Sequence, residues 1–386
     1  MTHCVITEGR PSPGAERSGR GDVHMTGGSR ANDEVWIIGA TGHIGRGVTA
    51  RLAARGLTVV PVGRSRERMV AAGAEAGLPG DAKVVVADSA ERIADEIVRQ
   101  RPRVVVNTMG AFTATAPVLA RACMPGGHYV DQANDVAAVE GLLALHDEAV
   151  RAGSTLVTGA GFGVLATEAV VAKLCDGRPT PHRVRVDAVG SVAVEAGVLG
   201  AAFATGIVDM LTTGGRRYDD GRLVPSRLGA DVRRLALPDG ESARSAGAAS
   251  GDLVAAHAVS GAPFVTATSA LVPAAPLVRA LLPALGRLLS VPALRRLAVD
   301  RLGRVPMTAA PRPRRHSWGH AVVEWADGTR REGWLRAGDG MDFTADVTAA
   351  VTELLARGAG RPGAWTPAAA LGPDLATAAG GAFVLD

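Results

Sequence analysis

The stretch "WIIGATGHIGRGVTARLAARG", residues 36–56, decides the fold. An apolar run leads into Gly39, Gly42 and Gly45. Ile44, Val48 and Leu52 then fall on one face of a helix. The first glycine permits a tight turn. The second lets backbone approach a pyrophosphate, and the third lets the helix pack close to the strand. Thr41, His43 and Ile44 stand where that helix begins, and its free amides suit phosphate. The stretch reads as the strand–turn–helix of a dinucleotide site.

Working outward, apolar runs predict strands at 34–38, 57–62, 83–87, 103–106, 128–130 and 155–158. Helical spacing predicts helices at 43–55, 66–76, 90–99, 116–123 and 136–152. This alternation implies an α/β fold, a Rossmann-type doubly wound parallel sheet with helices on both faces. "VVVN" and "VVVAD" are continuous apolar runs, as strands buried on both faces require. After about residue 173 the pattern changes. "RVRVDAVGSV" (183–192) reads as a strand able to pair with "AVVEWADGTRREGWLRA" (321–337), itself a hairpin around Asp327-Gly328. An apolar helical region covers 269–302, and 343–355 reads as a further helix.

A chain of 386 residues is too long for one typical domain. Its 3% aromatic content leaves the cores to Ala, Val and Leu. A net charge of +4 is too small to argue for nucleic acid. Cys4, Cys123 and Cys175 are odd in number and widely spaced, which argues against a disulfide framework or zinc and fits a reducing cytoplasm. No transmembrane run is present. The most apolar candidate, 269–289, is broken by Pro273, Pro276 and Pro283 and by Arg279 and Arg287. Residues 1–33 lack the apolar core of a signal peptide and read as a disordered tail, with Met25 as an alternative start.

The end of the second strand selects the cofactor. An NAD site wants a carboxylate there for the ribose hydroxyls. This chain has Gly63-Arg64-Ser65, with Arg66 and Arg68 close by. Arg64 can pair with a 2′-phosphate and stack on adenine, and Ser65 can donate to the same phosphate. NADP is therefore expected; the plain alternative is a solvated, Arg-rich helix start. Asp88 follows the third strand, where it contacts the adenine or caps the next helix. Asn107, Thr108, Met109 and Gly110 follow the fourth strand on the carboxyl edge. There Gly110 allows close approach to the cofactor and Asn107 bonds ribose or phosphate, unless it only shapes the turn.

With these motifs in view, "GATGHIGRGVTARLAARG", "GRS", "VVVNTMGAF", "GGHYVD" and "GAGFGVLATEAV" together resemble the saccharopine dehydrogenase-like reductases. "FTADVTAAVTELLARGAGRPGAWTPAAALGPDL" (343–375) resembles the family's closing helix and tail. The resemblance covers 34–175 strongly and 318–386 moderately. It implies NAD(P)-dependent reduction of C=N bonds, or of C=C bonds as in trans-acting enoyl reductases. It also implies a Rossmann domain with a second α/β domain whose sheet can mediate dimers. The expected organisation is a tail at 1–33, an NADP-binding domain at 34–172, an α+β substrate and dimerisation domain at 173–342, and a closing segment at 343–386 that packs back on the first. Two departures stand out. Ala111 replaces the usual proline after Gly110, and "DQAND" (131–135) replaces the more usual D-x-x-G-E.

Short-chain dehydrogenase chemistry needs Tyr-x-x-x-Lys. Neither Tyr129 nor Tyr218 has a lysine four residues on, so that route is closed. His128, Tyr129, Asp131 and Asp135 are the candidate acids near the nicotinamide. Tyr129 and Asp131 are the first choices for contact with substrate or cofactor; their alternative is a structural role at a strand end. Glu168 belongs beside the "GAGF" turn, and Glu195 has no assigned place. Segment 287–315 holds eight arginines against Asp300, as a solvated face or a landing site for an anionic carrier-bound substrate. His316 and Trp318 follow as candidates to border a substrate cavity. The expectation is a cytoplasmic, homodimeric NADPH-dependent reductase of a small molecule in biosynthesis, with an isomerase or cyclase, or a non-catalytic NADP(H) sensor, as alternatives.

Overall fold

The structure, a computed structural model, describes residues 32–273 and 275–385. Cys4, Met25 and nearly all of the expected tail lie outside the described residues. The chain enters through β1 (Asn32–Ile38), α1 (His43–Ala54), β2 (Thr58–Gly63), α2 (Arg66–Glu75), β3 (Val85–Val86) and α3 (Ala90–Gln100). It continues through β4 (Pro102–Asn107), α4 (Phe112–Cys123), β5 (His128–Asp131), α5 (Val136–Leu143), α6 (His146–Ala152), β6 (Thr155–Val157) and α7 (Phe162–Cys175).

The valine-rich strands pair side by side in parallel, in the order β3-β2-β1-β4-β5-β6. This is the Rossmann order, and it reverses between β1 and β4. Capping sorts the helices that leave its carboxyl edge. Ser65, Ser89 and Asp135 accept from backbone amides and close α2, α3 and α5. Thus α3 is capped by Ser89 and not by Asp88, which instead faces Arg92. α1 and α4 have no side-chain cap, and they flank the point where the strand order reverses.

Two of the differences from the sequence expectation have a visible cause. β1 begins at Asn32, because Asn32 bonds Gln100 and Arg101 through its side-chain amide and backbone N–H. The expected helix 136–152 is two helices. The break puts His146 against β17 (Gly363–Trp365), where its ring bonds the Ala364 carbonyl and meets Trp365 edge-on.

The second half carries β7 (Arg183–Val189), β8 (Gly197–Val198), α8 (Ala201–Thr213), β9 (Gly215–Asp219), β10 (Arg222–Ser226), β11 (Arg233–Ala236), β12 (Ser242–Gly247), α9 (Gly251–Ser260) and β13 (Phe264–Ser269). Then come α10 (Pro276–Leu289), α11 (Pro292–Gly303), β14 (Pro306–Met307), β15 (Ser317–Glu324), β16 (Arg330–Ala337), α12 (Gly340–Ala356), α13 (Pro367–Leu371), α14 (Leu375–Ala378) and β18 (Ala382–Leu385). A nine-stranded mixed sheet runs β10-β9-β13-β7-β15-β16-β18, with β12 joining β13 and β11 joining β12. The hairpin β15–β16 turns at Asp327-Gly328 and pairs with β7 antiparallel.

One face of this sheet packs on α7. Val184, Val186, Ala321, Val323 and Leu335 share a core with Leu165, Ala166 and Val170. A Cβ on Gly319 would lie 2.4 Å from the Ala166 carbonyl, so strand and helix touch backbone to backbone. α12 lies along α1 through Arg51–Asp346 and Arg55–Glu353 ion pairs. The closing segment serves both sheets: β17 extends the parallel sheet beyond β6, and β18 pairs with β16.

The opposite face of the second sheet holds a buried polar network. Asp187 accepts from the Arg185 guanidinium, Ser245 and Thr268, and it faces His320 Nδ1 at 2.9 Å. Glu332 takes the other nitrogen of that ring at 3.0 Å. These partners hold the Asp187 carboxyl well below its ordinary value despite burial. The network pins β7, β12, β13, β15 and β16 in one register.

Other buried carboxyls shift the opposite way. Burial pushes Asp131 up to about 6, and Glu168 and Asp252 up to about 7. Their ordinary values are 3.8 to 4.5, so the folded chain keeps these protons to higher pH than the unfolded chain. Stability conferred by that difference is lost as pH rises from about 4 to about 7. His128 works against this trend. Burial lowers it to about 4 from 6.5, so its share of stability grows with pH over that interval. With three groups against one, the melting temperature should be higher at about pH 5 than at about pH 7.5. Glu168→Gln and Asp252→Asn should flatten the profile. A melting temperature that rises between those pH values contradicts the assignment.

Candidate functional site

The site is built at the β1–α1 turn. Gly39 has φ +82°, and the Gly42 N–H donates to the Gly39 carbonyl at 2.9 Å. A Cβ on Gly45 would stand 2.2 Å from that carbonyl, so α1 can start here only from glycine. Gly42 is different. Its φ is −79°, and a Cβ there would meet only the Gly39 carbonyl, at 3.3 Å. The fold places little demand on glycine at 42, whereas a group resting against its backbone would. With no side-chain cap, the N–H groups of His43, Ile44 and Gly45 have no acceptor among the described residues. These open amides and the empty Gly42 surface fit a pyrophosphate.

At the end of β2, Gly63 and Ser65 are half-buried and Arg64 is exposed. Ser65 Oγ accepts from the Arg68 N–H at 3.3 Å, leaving its own proton for a ligand. Among the described residues, Arg64, Arg66 and Arg68 have no acidic partner. Asp88, exposed beyond β3, faces Arg92 at 3.4 Å.

The β4 turn leans on the glycine turn. Thr108 Oγ1 donates to the Ile38 carbonyl at 2.8 Å and is the first atom a Gly39 Cβ would strike. Asn107 is wholly buried and fully engaged: its amide donates to Thr115 and Tyr129, and its oxygen accepts from the Met109 N–H. It shapes the turn and has no hydrogen left for a ribose. Gly110 and Ala111 then take φ of +77° and +48°. Proline is fixed near −65° and cannot follow this path, so the turn as it stands excludes the proline that the resemblance leads one to expect at position 111. A left-handed alanine costs about 1–2 kcal/mol, and such strain tends to gather where ligands bind.

Tyr129 and Asp131 sit below this edge, each 0% exposed. Asp131 Oδ1 accepts from Thr158 Oγ1 and from the Ala133 and Gly159 N–H groups, tying β5 to the 158–161 turn. Asp131 Oδ2 is buried without a hydrogen-bond partner among the described residues. The Tyr129 ring lies in the core with Trp36 and Val105, and burial together with the neighbouring Asp131 raises its hydroxyl well above the ordinary range. Neither side chain reaches a solvent-filled cleft. His128 is buried against the Thr155 N–H, and Asp135 caps α5 while accepting from Thr113. Glu168 lies farther back, capping α13 through the Ala368 and Ala369 N–H groups. His316 and Trp318 line a cavity of about 600 Å³ with Asp239, Arg315 and Arg336; none of the dinucleotide-turn residues lines it.

The residue that sequence reasoning left unplaced is Glu195. Its carboxylate lies 3.1 Å from His43 Nδ1, at the first residue of α1. Both side chains are well exposed, so the contact itself contributes little. Its position matters more, because a carboxylate there shares the helix end with any bound phosphate. Glu195→Gln should tighten NADPH binding several-fold, about 1 kcal/mol or less for an exposed like charge. Fluorescence titration checks this, and unchanged or weaker binding counts against the placement. The Arg185–Asp187–His320 network was also missed. Its only signal was the alternation of Arg183, Arg185 and Asp187 with valines along one strand.

Residues 35–157 match the saccharopine dehydrogenase NADP-binding domain family. The apo, histidine-tagged saccharopine dehydrogenase (L-Glu forming) from Saccharomyces cerevisiae has a similar fold. Its TM-score is 0.59 at 14% identity, over 92% of this chain and 99% of that one. A short chain dehydrogenase from Salmonella enterica aligns over 33% of this chain and 76% of its own, at 17% identity and a TM-score of 0.28. No curated protein matches the sequence. The parallel-sheet half is an NADP-binding domain of the saccharopine dehydrogenase type. Across the whole chain, the likeness to the yeast enzyme is one of fold.

Proposed function

We propose that the protein is an NADPH-dependent reductase of a C=N bond, or of an activated C=C bond, in a small biosynthetic substrate. The observation that carries this reading is the pairing of an uncapped α1, open at Gly42, with an Arg64 that has no acidic partner among the described residues. In this reading the amides of His43, Ile44 and Gly45 hold the pyrophosphate, Arg64 and Ser65 hold the 2′-phosphate, and Gly110 gives room beside the nicotinamide. NADPH, when bound, supplies the hydride.

Tyr129 and Asp131 take the part of positioning residues: through Asn107 and the 158–161 turn they hold the carboxyl-edge loops in place. Their burial favours the C=N reading. An iminium already carries its charge and asks for no side-chain acid, whereas a C=C bond needs a proton at its other carbon. A cytoplasmic homodimer, joined through the second sheet, is part of the proposal. Deuterium transfer from deuterated NADPH into a panel of imines and enoyl substrates tests it. Label recovered in an amine product supports the first choice and label in a saturated acyl product the second. Tight NADPH binding with no transfer to either panel turns the reading toward a sensor or a non-redox enzyme.

A further inference from the structure

A row of exposed apolar side chains lies on α10. Leu277, Leu281, Leu285 and Leu288 are 83%, 67%, 40% and 54% exposed, and Val278 beside them is 43% exposed. At 100° per residue these five fall within about a quarter to a third of the helix circumference. The core-facing side is a different one. Leu282, Gly286 and Leu289 are buried, and a Cβ on Gly286 would lie 2.3 Å from the Leu211 carbonyl of α8. The stripe is therefore surplus to the packing of α10 on α8.

Arginines are dense in the chain that follows it. Segment 287–315 carries eight arginines and one acid, Asp300. Asp300 pairs with Arg304, and Arg295 pairs with Asp209. Arg287, Arg296, Arg301, Arg312 and Arg315 are exposed and have no acidic partner among the described residues. A row of exposed leucines followed at once by a helix and loop with exposed, unpaired arginines matches a surface with acyl chains below and phosphates above.

We infer that this face docks flat on an anionic lipid surface. The α10 stripe enters the boundary between headgroups and acyl chains, and the arginines meet the lipid phosphates. Spanning the bilayer does not fit. No single described helix is long and apolar enough to cross; α10 has 14 residues and α11 is bent from it by 116°. A helix of that length covers about 21 Å, against a hydrocarbon core of about 30 Å. A second copy of this chain fits poorly too, because a two-fold contact would set these arginines against themselves. An acidic carrier protein would answer the arginines and leave the leucines unmatched.

Co-sedimentation with vesicles tests the inference, using the full chain. Vesicles of phosphatidylcholine with phosphatidylglycerol should pellet the protein, and vesicles of phosphatidylcholine alone should not. The double variants Leu277→Glu/Leu281→Glu and Arg296→Glu/Arg301→Glu should each reduce binding on the order of tenfold or more. Raising salt from about 0.1 M to about 0.5 M should weaken it as well. Sedimentation velocity should give both variants the same oligomeric state as the parent, and NADPH titration of the same samples should be unchanged. Binding to neither vesicle overturns the inference. So does binding that survives the leucine changes, loss of an oligomer in the leucine variant, or capture of a purified acidic acyl carrier protein in place of vesicles. The inference is independent of the proposed reduction, and the NADPH titration separates the two failures.

Discussion

Arg64→Asp is expected to lower affinity for NADPH by about 100-fold while leaving NADH binding equal or improved. The residue stands at the end of β2, where a dinucleotide's adenosine ribose lies in this fold. A guanidinium there gives a charge-assisted fork to a 2′-phosphate, and an aspartate repels it. The same aspartate accepts from the two ribose hydroxyls of NADH, so the two cofactors should move in opposite directions. Arg64 is exposed, and a single surface ion pair would contribute little. The large effect comes from reversing a charge against a dianion, with Ser65 and the first turn of α2 already arranged around it. Arg66→Ala and Arg68→Ala should cost far less. Parallel fluorescence titrations with both cofactors read the result. Equal losses for NADPH and NADH would remove Arg64 from the site.

The second large effect separates two glycines three residues apart. Gly45→Ala places a methyl 2.2 Å from the Gly39 carbonyl and 2.8 Å from Ala40 Cα, both of them backbone atoms. Neither can give way without moving β1 from α1, so a loss of about 3 kcal/mol or more is expected, with the variant unfolding early or failing to accumulate. Gly42→Ala meets one atom at 3.3 Å, and its φ of −79° suits any residue. Its melting temperature should stay within a few degrees of the parent. NADPH binding, however, should fall by about tenfold or more, because the methyl occupies the surface where the pyrophosphate rests. Thermal melts and titrations on the pair distinguish fold from function. A Gly42→Ala protein that binds NADPH normally would leave the turn a structural feature.

Much of this was legible in the sequence, for physical reasons that differ by region. The parallel sheet was legible because buried strands must be continuously apolar, as Val104, Val105 and Val106 are, and because its helices keep a 3.6-residue period. The hairpin at Asp327-Gly328 was legible from its turn residues. Tyr129 and Asp131 were legible as important and misread as reaching the substrate. A strand end looks the same in sequence whether its side chains face a cleft or, as here, the core and a neighbouring turn. Asn107 shares that history: its amide is consumed by Thr115 and Tyr129, partners that no local pattern announces. Asp187 and His320 are 133 residues apart, and Glu195 reaches His43 from a loop without periodicity. In the middle of the chain, Ala, Gly and Arg dominate and carry neither strand nor helix period clearly. The strands from β9 to β12 consequently went unread.

The central claim is that the uncapped helix behind Gly42 and the guanidinium of Arg64 hold one molecule of NADPH. Calorimetric titration of the unmodified protein with NADPH and with NADH tests it most directly. The expected result is one site per chain, with NADPH bound at least about tenfold tighter than NADH. Equal affinities, tighter binding of NADH, or no binding of either would contradict it.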